Sequence, residues 1–395
     1  MTWWGTTHAP GNGSTLQTIA RAFPGHPIKV YAEPGHITEL ARNPALTATG
    51  GVTLHPVPVS RRFPGRPGIV SLRRLAREVL TLHRALRTLK RGQPALIVML
   101  SATSTAIFAA SWLARLHGRH IAVQIGLHGN LHDAGTWRSR NPIARALDMT
   151  AAMSARHGGR LRYLVLEQSI KDALAARDPA AAALTDVLPL PINIAEFDGH
   201  IATPHPPPPL RVGFVGQATE AKGIDIFLRI ATALGARYPG QIGFHLVGRA
   251  MPGTDPNIFL PLAAPPTDTH LPRADFIARM ASLHYVVLPF RPGYYDLAAS
   301  GALIDALTWL KPVLAMPVGF VQALFASAGD IGDLCADEAA LRAALERLLT
   351  VPDPDRYAAQ VANLRAARAA RLPDALAPSY RAMLTRAFGF LAGPG

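Results

Sequence analysis

The sequence predicts an α/β protein made of two successive open domains, each with a parallel sheet flanked by helices. Its 395 residues are 49% hydrophobic and 17% charged. Single cores rarely grow beyond ~250–300 residues, so this length predicts two domains, and the apolar content excludes intrinsic disorder. Short apolar strands alternate with amphipathic helical stretches, which is typical of parallel sheets with crossover helices. This alternation is interrupted once, by prolines at 204–209, and then begins again.

In the first half the apolar runs predict five strands, at residues 29–32, 52–57, 96–100, 121–125 and 163–166. The uncharged stretch 92–114 is long enough to cross a bilayer and must be weighed as a transmembrane helix. However, Leu96–Leu100 is a compact strand-like run, and the Ser and Thr residues at 101–105 supply a turn and a helix cap. We therefore predict a buried strand followed by a helix.

The proline-rich stretch marks a domain boundary, because proline lacks an N–H donor and fixes its backbone angle. We predict an acceptor-side domain at 1–200, a linker at 201–210, a donor-binding domain at 211–375 and a last helix at 376–395. We expect the C-terminal helices to pack back on the first domain. Strands of the second domain are predicted at 211–215, 242–247, 284–289 and 313–315. A ligand is expected in a central cleft between the domains, at the carboxyl ends of the strands.

The net charge of +14 is concentrated in the first half of the chain. Residues 1–200 contain 23 basic and 11 acidic side chains, a net +12, against 17 and 15 in the rest. Much of this excess lies between Arg61 and Arg91, in an amphipathic basic helix that includes Arg73, Arg74 and Arg77. Such a helix is typical either of contact with an anionic membrane or a lipid-linked diphosphate, or of a solvated surface helix. Nucleic acid is not favoured, because no recognised nucleic-acid motif is present.

Three further features bear on location and metals. The single cysteine, Cys335, excludes an intramolecular disulfide and fits a reducing compartment. The first ten residues lack the basic and apolar regions of a signal peptide, so we expect a cytoplasmic chain, with peripheral contact at the inner face of the plasma membrane. The pair Asp353 and Asp355 has the form of a metal motif but sits where a helix cap is expected, so no metal site is predicted.

Two segments of the second domain suggest a diphosphate site. In the first, a strand ends at Gly216, a short loop presents Lys222, and Gly223 turns the chain into a helix. Backbone N–H groups at a helix start, together with a lysine ammonium, bind anions. An ordinary strand–loop–helix connection is the alternative.

The second segment begins after the strand near residue 286. Ser300, Gly301 and Ala302 are small residues that open a helix, Asp305 follows one turn later, and Leu310-Lys-Pro-Val313 comes next. Backbone donors there favour an anion. Asp305 is placed to accept hydrogen bonds from ribose hydroxyls.

Taken in this order, the motifs resemble the donor-binding domain of family-4-like (group 1) glycosyltransferases with the GT-B fold. The resemblance implies two Rossmann-like domains and a nucleotide diphosphate sugar as donor substrate, with no further cofactor. It implies that Lys222 and Gly223 contact the donor diphosphate and that Asp305 takes the place of the glutamate that binds the nucleoside ribose.

The sequence departs from the family pattern at two positions. Gln217 stands where the family usually has a diphosphate-binding arginine, and Leu297 stands in place of the first of two glutamates, with Asp296 beside it. Arg249, at the end of the next strand, is a candidate to supply the missing cation.

The N-terminal half resembles the family more loosely. We predict a glycine-rich loop with Gly11 and Gly13 beneath the donor phosphates; it is not a P-loop, because no Gly-Lys-Ser/Thr ending is present. His128, just beyond a strand, resembles the family's histidine that faces the donor sugar, and a purely structural histidine is the alternative.

The sequence thus predicts a metal-independent hexosyltransferase that acts on a lipid-linked or polysaccharide acceptor in exopolysaccharide or cell-envelope synthesis. The resemblance implies retention of the anomeric configuration. A catalytically silent sugar-nucleotide-binding protein and a sugar-nucleotide epimerase on the same fold are the alternatives.

Overall fold

The computed structural model describes residues 9–47, 50–57, 65–89, 93–117, 120–127, 131, 139–155, 159–194, 208–269 and 271–389. The chain divides into two compact units. The first consists of 1–193, 297–299 and 371–395, and the second of 194–296 and 300–370. Most of the predicted linker, 201–207, lies outside the described residues.

Parallel strands form the framework of the first unit, as predicted. One pair, β1 and β2, forms a two-stranded sheet, and four further strands form a sheet of order β3-β4-β5-β6. The strands are β1 (Ile28–Ala32), β2 (Val52–Pro56), β3 (Ala95–Met99), β4 (Ile121–Gly126), β5 (Leu161–Val165) and β6 (Thr185–Val187).

Helices cover both faces of these strands. Up to β6 they are α1 (Ala9–Ala22), α2 (Pro34–Ala41), α3 (Pro44–Thr47), α4 (Pro67–Leu86), α5 (Ser104–Leu116), α6 (Pro142–Ala146), α7 (Met149–Ser154), α8 (Gln168–Arg177) and α9 (Pro179–Ala183). The predicted strand and helix of the uncharged stretch are confirmed, because residues 93–114 contain β3 and most of α5, and the Thr103 hydroxyl caps α5 by accepting from the N–H of Ala106. Among the described residues, no helix is long and apolar enough to cross a membrane.

The second unit contains one five-stranded parallel sheet. Its strands are β7 (Leu210–Gln217), β8 (Ile242–Arg249), β9 (Tyr285–Leu288), β10 (Val313–Ala315) and β11 (Gly332–Leu334), in the order β11-β10-β9-β7-β8. The chain moves from β7 outward to β8 and then returns to β9 on the other side of β7. Loops after β7 and β9 therefore diverge at the carboxyl ends of these two strands, which is where open α/β sheets bind ligands.

The helices of the second unit are α10 (Ile224–Arg237), α11 (Arg273–Ser282), α12 (Gly301–Thr308), α13 (Gly319–Ala328), α14 (Glu338–Thr350) and α15 (Pro354–Ala369). Asp353 caps α15 by accepting from the N–H of Arg356, so its predicted role as a helix cap is confirmed. Nowhere in the described part of the chain do three His, Cys, Asp or Glu side chains gather as a metal site.

The last helix, α16 (Pro373–Ala387), belongs to the first unit and packs on α1, so the predicted return of the C-terminal helices to the first domain holds for α16, whereas α14 and α15 belong to the second unit. Tyr380 of α16 is buried with Leu376 and Leu384 in an apolar cluster that also contains Leu16 of α1. The Tyr380 hydroxyl donates to the side chain of Gln124 at 2.5 Å, in the middle of β4. The fold class predicted from the sequence is thus confirmed.

Candidate functional site

The candidate site of the second unit is built where β7 ends. Gly216 has φ of +101°, and a Cβ placed on it would lie 3.2 Å from the Lys222 ammonium nitrogen, so the ammonium lies directly above this glycine. Gly223 has φ of +78°, and a Cβ there would lie 1.9 Å from the carbonyl oxygen of Pro289. Glycine is required at position 223 for both reasons. The predicted glycines thus let the chain pass close to β9 and present Lys222 at the strand end.

Lys222 ends a 3₁₀ turn, Glu220–Lys222, that leads into α10. Burial lowers the pKa of Lys222 from its ordinary value, and the charge of Asp305 partly offsets this effect. Within the described part of the chain, the ammonium group has no hydrogen-bond or ion-pair partner. A half-buried cation without a partner is costly, so this position favours an anionic ligand.

Asp305 lies on α12 and is half-buried. Burial raises its pKa to about 6, although the charges of Arg273 and Lys222 act in the opposite direction. No described residue donates a hydrogen bond to its carboxylate. The structure therefore brings together two of the residues predicted from separate motifs, and leaves the polar atoms of both available.

The start of α12 is also at this site. The Ser300 hydroxyl is buried and caps the helix by accepting from the N–H of Leu303 at 3.3 Å, and it also hydrogen-bonds Tyr295. Because this hydroxyl is already engaged, Ser300 has a structural role in addition to its predicted one. Gly301 is exposed, with no atom within 4 Å of a Cβ built on it, whereas Ala302 is buried. Of the three small residues, Gly301 leaves space for a ligand beside the helix start.

Gln217 and Arg249 are aligned partners on β7 and β8. The Gln217 amide contacts the Met251 sulfur at 2.7 Å. Arg249 is half-buried, and its guanidinium forms no ion pair with any described residue. The cation that is missing at Gln217 thus has a counterpart directly beside it on the neighbouring strand.

Sequence reasoning missed Arg291, which holds the turn that carries Lys222. Its Nε donates to the carbonyl oxygen of Glu220 at 2.9 Å, its backbone N–H donates to that of Ala221 at 3.3 Å, and its Nη2 pairs with Asp225 at 2.7 Å. Burial alone would raise the pKa of Asp225, but hydrogen bonds from Arg229 and Arg291 hold it below its ordinary value. The signal available in the sequence was an arginine three residues after the end of β9, the strand that neighbours β7.

Two site predictions were made for the N-terminal half, a glycine-rich loop and a histidine that faces the donor sugar. The expected glycine-rich loop was wrong: Gly11 and Gly13 lie in the first turns of α1. A Cβ on Gly13 would lie 2.9 Å from the Asn43 amide nitrogen, so this glycine permits close packing between helices. His128 lies outside the described residues.

On α4, Arg73 and Arg77 are exposed, and Arg74 is half-buried close to the buried Glu78. Leu297, at the position of the family's first glutamate, is buried in an apolar cluster of the first unit.

No model of a known protein family matches this chain, and no curated protein matches its sequence. Several solved structures, in contrast, match the fold of this chain. A glycosyltransferase from Rickettsia africae superposes with a TM-score of 0.64 at 12% identity, over 98% of this chain and 97% of that one. The UDP-forming α,α-trehalose-phosphate synthase of Burkholderia vietnamiensis gives 0.61 at 11% identity, over 94% and 99%. HepE of Anabaena, in complex with UDP, gives 0.58 at 17% identity, over 95% and 96%. The predicted resemblance to GT-B glycosyltransferases is thereby confirmed at the level of the fold.

Proposed function

We propose that this chain is a glycosyltransferase that moves a sugar from a nucleotide diphosphate sugar to a lipid-linked or polysaccharide acceptor. One observation carries the proposal: Lys222 and Asp305, a cation and a carboxylate without hydrogen-bond partners among the described residues, lie together where the loops after β7 and β9 diverge. Solved structures of similar fold support the donor class, since one holds UDP and another is described as UDP-forming.

In the proposed reaction the bond between the anomeric carbon and the diphosphate oxygen breaks, and a bond from that carbon to an acceptor hydroxyl oxygen forms. The hydroxyl proton passes to the departing diphosphate. Lys222 and Arg249 stabilise the charge that develops on the diphosphate, and the polar groups at the start of α12 add to this. Asp305 accepts hydrogen bonds from the ribose hydroxyls. We propose retention of the anomeric configuration without a metal, on the basis of the family resemblance, with His128 facing the sugar.

We propose a role in exopolysaccharide or cell-envelope glycan synthesis at the cytoplasmic face of an anionic membrane. The concentration of basic residues in the first half of the chain supports this setting.

The test is a thermal-shift panel of UDP, ADP, GDP and their sugars. We expect one nucleoside diphosphate to raise the melting temperature of the parent. Lys222→Ala should lower the affinity for that nucleotide by roughly tenfold to a hundredfold, because a hydrogen bond to a charged group contributes about 1.5–3 kcal/mol. Lys171→Ala, on α8 of the first unit, is the control and should bind as the parent does. Failure of every nucleotide to shift the parent would overturn the proposal.

Two alternatives remain distinguishable by experiment. Gln217 and Leu297 favour a silent sugar-nucleotide-binding protein, which would bind the donor without consuming it across a panel of acceptors. An epimerase would instead convert the donor sugar with no acceptor present, which product analysis detects.

A further inference from the structure

The first unit carries an unusual concentration of exposed apolar side chains on three neighbouring helices. Among the described residues, thirteen large apolar side chains are exposed, and six of them lie on α4, α5 and α6. Trp112 is 53% exposed and Leu116 is 62% exposed, although every other apolar side chain of α5 is at least half-buried. The six are Ile69, Leu72, Leu80, Trp112, Leu116 and Ile143.

These side chains lie on three helices that pack against one another, and we call the exposed faces of these helices the α4–α6 surface. Helix α4 packs against both α5 and α6. Near its start, Gly68 allows Asn141 at the head of α6 to approach, since a Cβ on Gly68 would lie 2.6 Å from the Asn141 amide oxygen. Near its end, the ring centroids of His83 and of His117, which follows α5, are 6.0 Å apart.

The α4–α6 surface faces away from the sheet. Buried side chains of α4 and α5, such as Leu82 and Ile107, share one apolar cluster with Val123 and Ile125 of β4. The opposite sides of the same helices are therefore the exposed ones. On α4 the spacing of Ile69, Leu72 and Leu80 places all three on one helical face.

The same three helices carry exposed arginines and no exposed carboxylate. Arg73, Arg77 and Arg84 of α4 are exposed, as are Arg115 of α5 and Arg145 of α6. Across α4, α5 and α6 the sole acidic side chain is Glu78, which is fully buried. The surface is thus apolar and basic at once.

We propose that the α4–α6 surface lies on an anionic lipid bilayer, with Trp112 and the aliphatic side chains entering the interface and the arginines contacting lipid phosphates. Exposed Trp and Leu side chains beside arginines are typical of helices that lie in the plane of a membrane. Arginine also extends its charge to the headgroups while its stem covers apolar surface. Association with a second copy through this surface is disfavoured, because a twofold interface would set the exposed arginines of α4, α5 and α6 against one another, and these helices carry no exposed carboxylate.

This inference deepens the membrane setting of the proposed function and rests on it, but its test needs no donor or acceptor. The full chain is sedimented with phosphatidylcholine vesicles that contain or lack phosphatidylglycerol, at low and physiological salt. We expect binding to the anionic vesicles, weakened by salt through screening. Donor binding by a chain that ignores vesicles would refute the surface alone, whereas vesicle binding without donor binding would refute the transferase proposal alone.

Two variants assign the binding to the surface. Replacing Arg73, Arg77 and Arg84 with Gln should lower the vesicle partition coefficient about a hundredfold. Each basic residue near an anionic surface raises this coefficient by a factor of roughly five, and three such residues are removed. Leu72→Ser with Trp112→Ser should lower it by about tenfold or more. The chain has five tryptophans. Its tryptophan emission should shift to the blue when anionic vesicles are added, and the variant that lacks Trp112 should lose this shift.

Matched controls lie elsewhere on the chain. Replacing the exposed Arg342, Arg365 and Arg381 with Gln changes the net charge equally, and Leu260→Ser with Val351→Ser removes two exposed apolar side chains, 79% and 67% exposed. Both controls should bind vesicles as the parent does. The proposal is overturned if the parent ignores anionic vesicles, if controls and surface variants lose binding equally, or if the surface variants instead dissociate an oligomer in sedimentation velocity. Circular dichroism melts establish that each variant is folded.

Discussion

Two carboxylates, one in each unit, lie near basic side chains, but only the carboxylate of the first unit accepts hydrogen bonds from its neighbour. Glu167, just after β5, accepts hydrogen bonds on both oxygens from Arg371, at 2.6 and 3.0 Å, and the two side chains are 8% and 11% exposed. Asp305 of the second unit lies near Lys222 and Arg273, and no hydrogen bond from a described residue reaches its carboxylate. The fold itself satisfies the first carboxylate and leaves the second for a ligand. A buried pair with ideal geometry is therefore part of the framework, whereas an incomplete pair indicates a binding site.

The largest expected effect comes from breaking the complete pair. Arg371→Met leaves the Glu167 carboxylate buried and unpaired, and we expect the free energy of unfolding to fall by about 3–5 kcal/mol. Urea denaturation measures this. Arg21→Met is the control, because its pair with Asp374 is solvent-exposed on both sides, and it should change stability little. A loss below about 1 kcal/mol in Arg371→Met would remove the contrast between the two carboxylates.

Arg291 holds the turn that carries Lys222, the basic member of the incomplete pair. Arg291→Ala removes the hydrogen bond to the carbonyl of Glu220 and loosens the turn that presents Lys222. We expect the affinity for the nucleoside diphosphate identified by thermal shift to fall by about tenfold, the equivalent of one charged hydrogen bond.

Arg229→Ala is the matched control for Arg291, since Arg229 pairs with the same Asp225 at 3.0 Å but is bonded to Glu338 rather than to the turn. Calorimetric titration of both variants gives the comparison. Equal losses in the two variants would assign the effect to Asp225 and not to the turn.

The smallest expected effect is a gain in stability. Because the pKa of Asp305 is about 6 in the folded chain, above its ordinary 3.8, the folded state binds the proton more tightly than the unfolded state. Keeping Asp305 charged therefore costs stability, and this cost is fully present above pH 6 and absent below about pH 4. We expect Asp305→Asn to raise the free energy of unfolding at pH 7.5 by about 1 kcal/mol, after allowance for its partial exposure.

Denaturation of the Asp305→Asn variant at pH 7.5 and pH 4 tests the sign, because the gain should vanish at the lower pH. Nucleotide affinity should fall in the same variant, since an amide is a weaker acceptor for ribose hydroxyls than a carboxylate. A variant that is less stable at pH 7.5 would show that Asp305 belongs to the framework.

Local patterns predicted most of the elements. Apolar runs located the strands β1–β5 and β7–β10, and a Thr cap separated β3 from α5, because these signals depend on neighbouring residues alone. The glycine-rich start failed for the same reason: Gly11 and Gly13 read locally as a loop, but packing against residues such as Asn43 keeps them helical. Tertiary contacts override weak local preferences in this way.

By itself the sequence determined the two α/β halves, the concentration of positive charge in the first, and the glycines that frame Lys222. Only the tertiary structure decided which charged groups are already paired. It placed Arg371 on Glu167, 204 positions away in the chain, and set Arg249 beside Gln217. It also gathered exposed apolar side chains of three helices into one basic surface. The reason is physical: the cost of a buried charge and the meaning of an exposed apolar side chain depend on what lies within a few ångströms, and chain folding alone sets those distances.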